Sequence, residues 1–424
     1  MKKTNQYVLF LFFFILISVP GFWLLRGKPS SQVSIVEGRV LGLPGSSYPT
    51  LKVALDFIKQ GEPQKAVALV WDLYIGGSLQ KKFDGAVTDN LPLRMPLINF
   101  AKAVDRGIIK FSYSLSGDEV IPADMTSEIY IMLNKEALIL PPDIFDDIAI
   151  EKINERLQNY HEVATNYPEI NFYIYYLETL PVSQYHPLNK MFPEADEGQS
   201  INYFRSKLSD RINLGYMPLN GVDDHLQHYY RTDHHANTAG ILEAYRGIYN
   251  LLSMNYANMP PKLEPSTMVT FPDIVFLGTF ARRTLYPIQG DEFIGFQADF
   301  PRCTVRDNGV VGVYDSREEY LQGEYSTEPF VDHYGYYFGT QQGLLEYHCE
   351  TQTNRNILII GDSYARPLAN LISNHYKHTF YVDLRQNTDF SLSEFTASNQ
   401  IDDFLIVSDY KVIYWDTDQW MINP

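Results

Sequence analysis

Three residue types that together can carry an acyl group stand at two places in this chain: a serine at 363, and an aspartate and two histidines at 233–235. Ser363 lies in the run ILIIGDSYARPL. The spacing predicts a buried strand over 356–363 and a helix over 364–376, so that Gly361-Asp362-Ser363 would fall at the strand's C-terminal end. In open α/β sheets that edge is where ligands bind. The turn would expose the Ser363 hydroxyl. Backbone N–H groups opening the helix are unpaired and lie at its positive dipole end, where they can hold an oxyanion. Gly361 permits close backbone approach there, and Tyr364 would stand beside the nucleophile. The pattern is not G-x-S-x-G, so the elbow of α/β hydrolases is not indicated.

A serine hydroxyl needs a base, and the base needs an orienting group. The chain has 10 histidines. In Thr232-Asp233-His234-His235 the aspartate and the second histidine are two apart, so both can project into one cleft from a turn. His235 is assigned as general base and Asp233 as its carboxylate, and His234 could exchange roles with His235. Each piece has a plainer reading: a Gly-Asp-Ser turn by chance, and an Asp that caps the following helix. The conjunction carries the argument, because both sit at strand-to-helix junctions of one apparent sheet. A denser cluster, Asp223, Asp224, His225, His228, Asp233, His234 and His235, offers a competing zinc site, with His225 and His228 on one helical turn. It matches no H-E-x-x-H pattern. The reading adopted has no metal and no cofactor.

The elements that must position these residues are legible in part. Helical apolar spacing occurs at 51–60, in a segment at 79–105, and at 150–167. Strands rich in β-branched and aromatic residues are expected near 128–134 and at 170–177. A polar loop at 223–240 holds the Asp-His-His, and a helix begins near Thr238. Residues 256–345 are rich in Pro, Gly, Tyr and Phe with short alternating runs, and read as a β-rich insertion. Strands at 378–385 and 402–409, with a short helix between, complete the alternation. Strands alternating with helices imply a parallel sheet.

Residues 7–25, YVLFLFFFILISVPGFWLL, contain no charge. About 20 such residues span a bilayer core. With Lys2 and Lys3 before it, Arg26 and Lys28 after it and no small-x-small cleavage site, the run reads as an uncleaved anchor with the body outside the cytoplasm. The expected organisation is an anchor at 1–28, a linker at 29–50, an N-terminal helical segment with the first part of an α/β domain at 51–255, the insertion at 256–345, and the second part of the α/β domain at 346–424. The net charge of −17 and the absence of any Lys/Arg run exclude a nucleic-acid partner. Cys303 and Cys349 are the two cysteines. Outside the cytoplasm they could form one disulfide; otherwise they are buried thiols.

Four blocks together resemble the alginate O-acetyltransferase-like proteins with an SGNH-hydrolase fold, in the branch named for an Asp-His-His-Trp motif. Residues 79–100, with Asp89, Pro92 and Arg94 in a D-x-x-P-x-R pattern, resemble its N-terminal segment. TDHHANTAG resembles its Asp-His-His-Trp site, GDSYARPL its nucleophile block, and FYVDLRQ, with Asp383 and Arg385, the block after it. The resemblance implies an SGNH-like parallel sheet flanked by helices, with Asp-x-His preceding Ser in permuted order. It implies a Ser363–His235–Asp233 triad and an Arg385 that helps hold oxyanion or substrate. It further implies O-acetylation of an exported polysaccharide, with a multi-pass membrane acyltransferase supplying acetyl groups. Ala236 departs from the pattern at the Trp position and would remove a packing or sugar-stacking surface. A carbohydrate esterase with the same triad and a non-catalytic carbohydrate-binding protein are the alternatives.

Overall fold

The computed structural model describes residues 94–114, 117–312, 316–340, 343–414 and 421–423, and before them 33–34, 39–40, 59–60 and 65. The expected anchor at 1–28, most of the linker and of the 51–60 helix, and Asp89 and Pro92 lie outside the described residues. No helix among the described residues is long and apolar enough to cross a membrane. The chain divides into two units, 1–108 and 109–424. In the first, 33–34 pairs antiparallel with 39–40. Helix α1 (Arg94–Tyr113) runs from the first unit into the second.

The second unit is a mixed α/β body. It opens with a small antiparallel sheet of β1 (Val120–Pro122), β2 (Tyr130–Met132) and β3 (Ala137–Ile139). Then follow α2 (Asp147–Asn166), β4 (Asn171–Leu177), α3 (Gln199–Lys207), β5 (Ile212–Met217), α4 (Val222–His228) and α5 (Thr238–Ser253). Within 256–345 lie the antiparallel pair β6 (Thr267–Phe276) and β7 (Asp291–Gln297), with α6 (Thr279–Thr284) between them. Next come β8 (Cys303–Asp307), β9 (Val310–Gly312), α7 (Ser316–Leu321) and α8 (His333–Phe338). The chain closes with β10 (Leu344–Cys349), β11 (Asn356–Gly361), α9 (Ala365–Ile372), β12 (His378–Val382), α10 (Leu392–Ser398), β13 (Asp403–Ser408) and α11 (Lys411–Tyr414).

The central sheet has the order β9-β8-β10-β12-β11-β13-β4-β5. The five strands from β12 to β5 are parallel, and β10, β8 and β9 extend them as an antiparallel edge. The parallel strands are apolar at successive positions because both of their faces are covered. Side chains alternate between the faces. Ile357, Ile359, Leu405 and Val407 point to one face, into a core with α5 and α9. Leu358, Ile360, Phe404 and Ile406 point to the other, against α2 and α3. Helix α2 begins where Asp146 accepts the Ala149 N–H at 2.8 Å. Helix α5 begins where Asn237 accepts the Gly240 N–H at 3.1 Å.

Two readings differ from the structure. The polar loop expected at 223–240 contains α4, whose first turn carries Asp223 and Asp224, favourable charges at a helix N-terminus. Strand β5, INLGYM, holds Asn and Gly and lacks the apolar run by which its neighbours were legible. Part of 256–345 does not stand apart: β8 and β9 join the central sheet. Cys303 and Cys349 are directly opposed on β8 and β10 and form a disulfide. It closes a loop spanning 46 positions, for which chain-entropy arguments give about 4 kcal/mol of stabilisation. Replacing both cysteines by serine is expected to leave the fold intact but to lower stability by roughly 2–4 kcal/mol, read as a lower midpoint in urea with an m-value raised by the more expanded unfolded chain.

Candidate active site

The nucleophile turn is built by packing. A Cβ on Gly361 would lie 2.1 Å from the Ala365 Cβ and 2.6 Å from the Val407 carbonyl oxygen, so only glycine lets α9 start against β13. Gly361 therefore shapes the turn from behind and does not line the cavity. The Asp362 side chain accepts the Tyr364 N–H at 3.0 Å, and its carbonyl accepts the Ala365 N–H at 3.0 Å. Those two donors, expected to serve an oxyanion, are thus occupied. Of the N–H groups from Ser363 to Ala365, that of Ser363 alone has no internal acceptor among the described residues. Tyr381 and Tyr334 brace the turn, donating to the carbonyls of Asp362 and Ser363 at 2.9 Å each.

The turn at the C-terminal end of β11 is a topological switch point. From β11 the chain passes to β12 on one side, and then to β13 on the other. The crevice of an open α/β sheet opens there, and into it the 233–235 segment delivers its side chains. The Ser363 hydroxyl donates to His235 Nε2 at 2.8 Å. His235 Nδ1–H donates to Asp233 Oδ1 at 2.6 Å. His234 does not reach Ser363; its Nδ1 lies 3.3 Å from the same carboxylate oxygen. Burial, and then the nearby His235, lowers the His234 pKa to about 3 and keeps that ring neutral.

Asp233 is an anion buried with its donors. Burial alone would raise its pKa, but His234, His235 and two hydrogen bonds hold the carboxyl well below the usual range. Oδ1 also accepts the His235 N–H at 2.9 Å, and Oδ2 accepts the Thr279 N–H at 2.5 Å. The plainer reading of Asp233, as the cap of the following helix, does not hold: Asn237 caps α5.

Several supporting residues carry no sequence motif. Tyr334 stacks on the His235 ring, with centroids 4.1 Å apart at 14°. A Cβ on Gly278 would lie 2.3 Å from the Asp233 Cβ, so glycine is required where β6 passes into α6. Asp291 accepts the N–H groups of Arg231 and Thr232 at 2.9 Å and the Thr232 hydroxyl at 2.6 Å. It pins the segment just before Asp233.

Ser363 opens onto a cavity of about 230 Å³. Leu138, Leu180 and Phe280 give it an apolar wall, and Tyr364 and Arg385 also line it. Arg385 is not a free cation: it forms a fork with Asp383 at 2.9 and 2.7 Å. Tyr364 donates its hydroxyl to the His234 carbonyl at 2.5 Å. The sequence reading missed Lys411, which also lines the cavity. It bonds Asp409 at 2.7 Å and lies 3.6 Å from Asp362. Burial opposes its charge, but Asp409 and Asp362 outweigh that and keep it protonated.

Ala236 is buried in the core, bridges to Tyr229 and does not face the cavity. Its smallness bears on packing and not on a sugar-stacking surface. The broad ligand cluster does not converge. Among the described residues, Asp233, His234 and His235 are the only group of three or more whose ligand atoms all lie within 4.8 Å of one another. His225 stacks on Tyr229 with centroids 4.6 Å apart, His228 pairs with Asp224 at 3.1 Å, and Asp223 pairs with Lys135 at 2.7 Å.

No family model and no curated protein matches the sequence. The fold has counterparts among solved structures. Bacillus cereus PatB1 with a sulfonyl adduct superposes with a TM-score of 0.54 at 17% identity, over 68% of this chain and 96% of that one. A second structure of PatB1 gives 0.52 at 17%, over 67% and 96%. A DHHW family protein from Eubacterium siraeum DSM 15702 gives 0.51 at 16%, over 72% and 95%. The chain thus shares its fold with a protein of the branch that its motifs resemble.

The depressed Asp233 carboxyl has a consequence for acid stability. A group whose folded pKa lies below its unfolded value stabilises the fold fully above the unfolded value, about 3.9, and loses that contribution as pH falls toward the folded value. Asp233→Asn is therefore expected to flatten the fall in stability between pH 5 and pH 2, as measured by urea midpoints across that range.

Proposed function

We propose that this protein is an extracytoplasmic, membrane-anchored serine O-acyltransferase that acetylates a carbohydrate through an acyl-Ser363 intermediate. The observation that carries the reading is the unbroken relay from Asp233 Oδ1 through His235 to the Ser363 hydroxyl, opening on a cavity at the sheet's switch point. The resemblance of its motifs to alginate O-acetyltransferase-like proteins supplies the acetyl group and the polysaccharide acceptor. The apolar run at 7–25 and the Cys303–Cys349 disulfide favour a body outside the cytoplasm, where disulfides persist.

In the proposed reaction His235 Nε2 takes the Ser363 proton as Oγ attacks the carbonyl carbon of an acyl donor. Asp233, ionised and held by Thr279, stabilises the imidazolium and fixes its tautomer. The Ser363 N–H faces the developing oxyanion, and Lys411 and Arg385, each paired with carboxylates, line the same cavity. The imidazolium protonates the departing group, leaving acyl-Ser363. A sugar hydroxyl then gives its proton to His235 and attacks the acyl carbon; the bond to Ser363 Oγ breaks and the imidazolium returns the proton to Oγ. A multi-pass membrane acyltransferase is the proposed source of the donor. No step calls on a metal or cofactor.

The test is acetyl release from a chromogenic acetyl ester, with and without a carbohydrate acceptor and with a chelator control. Ser363→Ala and His235→Ala are each expected to lower the rate by at least about 10³-fold, and Asp233→Asn by about 10²–10⁴-fold. Acceptor-dependent consumption with an acetylated sugar as product supports transfer; equal rates without acceptor would replace transfer with hydrolysis. Activity that survives Ser363→Ala would sink the serine mechanism.

Gly278→Ala provides a separate test of the supporting shell. Its methyl group must displace Asp233, so kcat is expected to fall about 10-fold or more, while a circular dichroism spectrum stays native.

A further inference from the structure

The antiparallel edge of the central sheet carries a second pair of histidines that the site above does not use. His348 on β10 and His378 on β12 are direct partners in the ladder. Their ring centroids are 4.4 Å apart, and His348 Nδ1 lies 3.2 Å from His378 Nδ1 and 3.3 Å from its Nε2. Among the described residues neither ring hydrogen-bonds any other group. His348 is exposed and His378 half-buried. Phe380 lies nearly parallel to the His378 ring at 6.1 Å.

We propose that His348 and His378 form a chelating site for a late first-row divalent cation, Cu²⁺, Ni²⁺ or Zn²⁺. Metal–imidazole bonds are about 2.0–2.1 Å long. At coordination angles between square and tetrahedral, two such bonds set their nitrogens about 2.9–3.4 Å apart. The observed separations fall inside that window, and because His348 Nδ1 lies almost equally near both His378 nitrogens, a turn of the His378 ring is needed to aim one of them at the ion. The strand ladder has already fixed the two backbones, so binding need order only two ring torsions. Imidazole ligands must be neutral to bind a metal. Water would complete the coordination shell at this exposed edge. Two protein ligands, with Lys377 adjacent in sequence, give a site of modest affinity.

The position gives the site a mechanical consequence. The Cys303–Cys349 disulfide joins β8 to β10. One residue along, a His348–His378 ion would join β10 to β12. Strand β12 is hydrogen-bonded to β11, the strand that ends at the Ser363 turn. Ion and disulfide would staple three strands in succession, and because the ladder holds the two rings together only in the folded sheet, the ion favours the folded chain over the unfolded one.

The experiment is a calorimetric titration of the untagged full-length protein with Cu²⁺, Ni²⁺, Zn²⁺ and Mg²⁺, with thermal unfolding at saturating metal. One late-transition ion per chain is expected, with a rise in Tm of about 2–6 °C and no response to Mg²⁺, which prefers oxygen ligands. His348→Ala and His378→Ala should each weaken binding at least 10-fold, while their metal-free Tm stays at the wild-type value. Unchanged affinity in both variants would overturn the assignment, as would binding lost only in His234→Ala, which would place the ion at the 233–235 cluster. Absence of binding by any of the three metals would reduce the pair to a hydrogen bond between neutral rings.

Discussion

A buried carboxylate must be surrounded by donors or give up its charge, and the site depends on how Asp233 meets that demand. Its two oxygens collect the backbone and ring N–H groups of His235 and the N–H of Thr279. Thr279 lies 46 positions from the carboxylate it holds. They meet only if the β6-to-α6 junction passes directly against Asp233, and a side chain at Gly278 would prevent it. Asp291 fixes the other flank by holding Arg231 and Thr232. The anion therefore organises the loop that presents His235. His235 needs that anion to hold its tautomer toward Ser363.

The sheet supplies the other half of the geometry. Two faces of β-branched and aliphatic side chains bury the five parallel strands between helical layers, and β11 stands between β12 and β13. A strand in that place must end in a crevice, because its two neighbours are reached by crossovers in opposite directions. Gly361 then brings α9 against Val407 with no intervening Cβ, which makes the turn at Ser363 tight and holds its hydroxyl at the crevice rim. The nucleophile's position thus follows from packing on the far side of the turn and owes little to contacts within the cavity.

Around this frame the charges are arranged in pairs. Lys411 lies between Asp409 and Asp362, and Arg385 is forked onto Asp383. Pairing lets cations line an apolar cavity in a chain of strongly negative net charge. It also orients them, since a forked guanidinium has few remaining rotamers. The cavity therefore offers a fixed field near Ser363 at little cost in ordering side chains when a substrate enters.

What the sequence determined by itself was what neighbouring residues decide. The apolar run before Gly361-Asp362-Ser363 and the alternation of strand and helix after it rest on side chains a few positions apart, so local spacing displays them. The Asp-x-His spacing likewise showed that both groups could share a cleft. The tertiary structure alone decided which histidine meets Ser363 across 128 positions, that Tyr334 stacks on it, that Gly278 and Thr279 complete the Asp233 shell, and that Cys303 faces Cys349. Lys411 and the joining of β8 and β9 to the main sheet belong to the same group. These depend on strand register and on which loops close over the switch point. Such contacts are fixed by burial summed over the whole sheet and leave no periodic trace in the residues that make them.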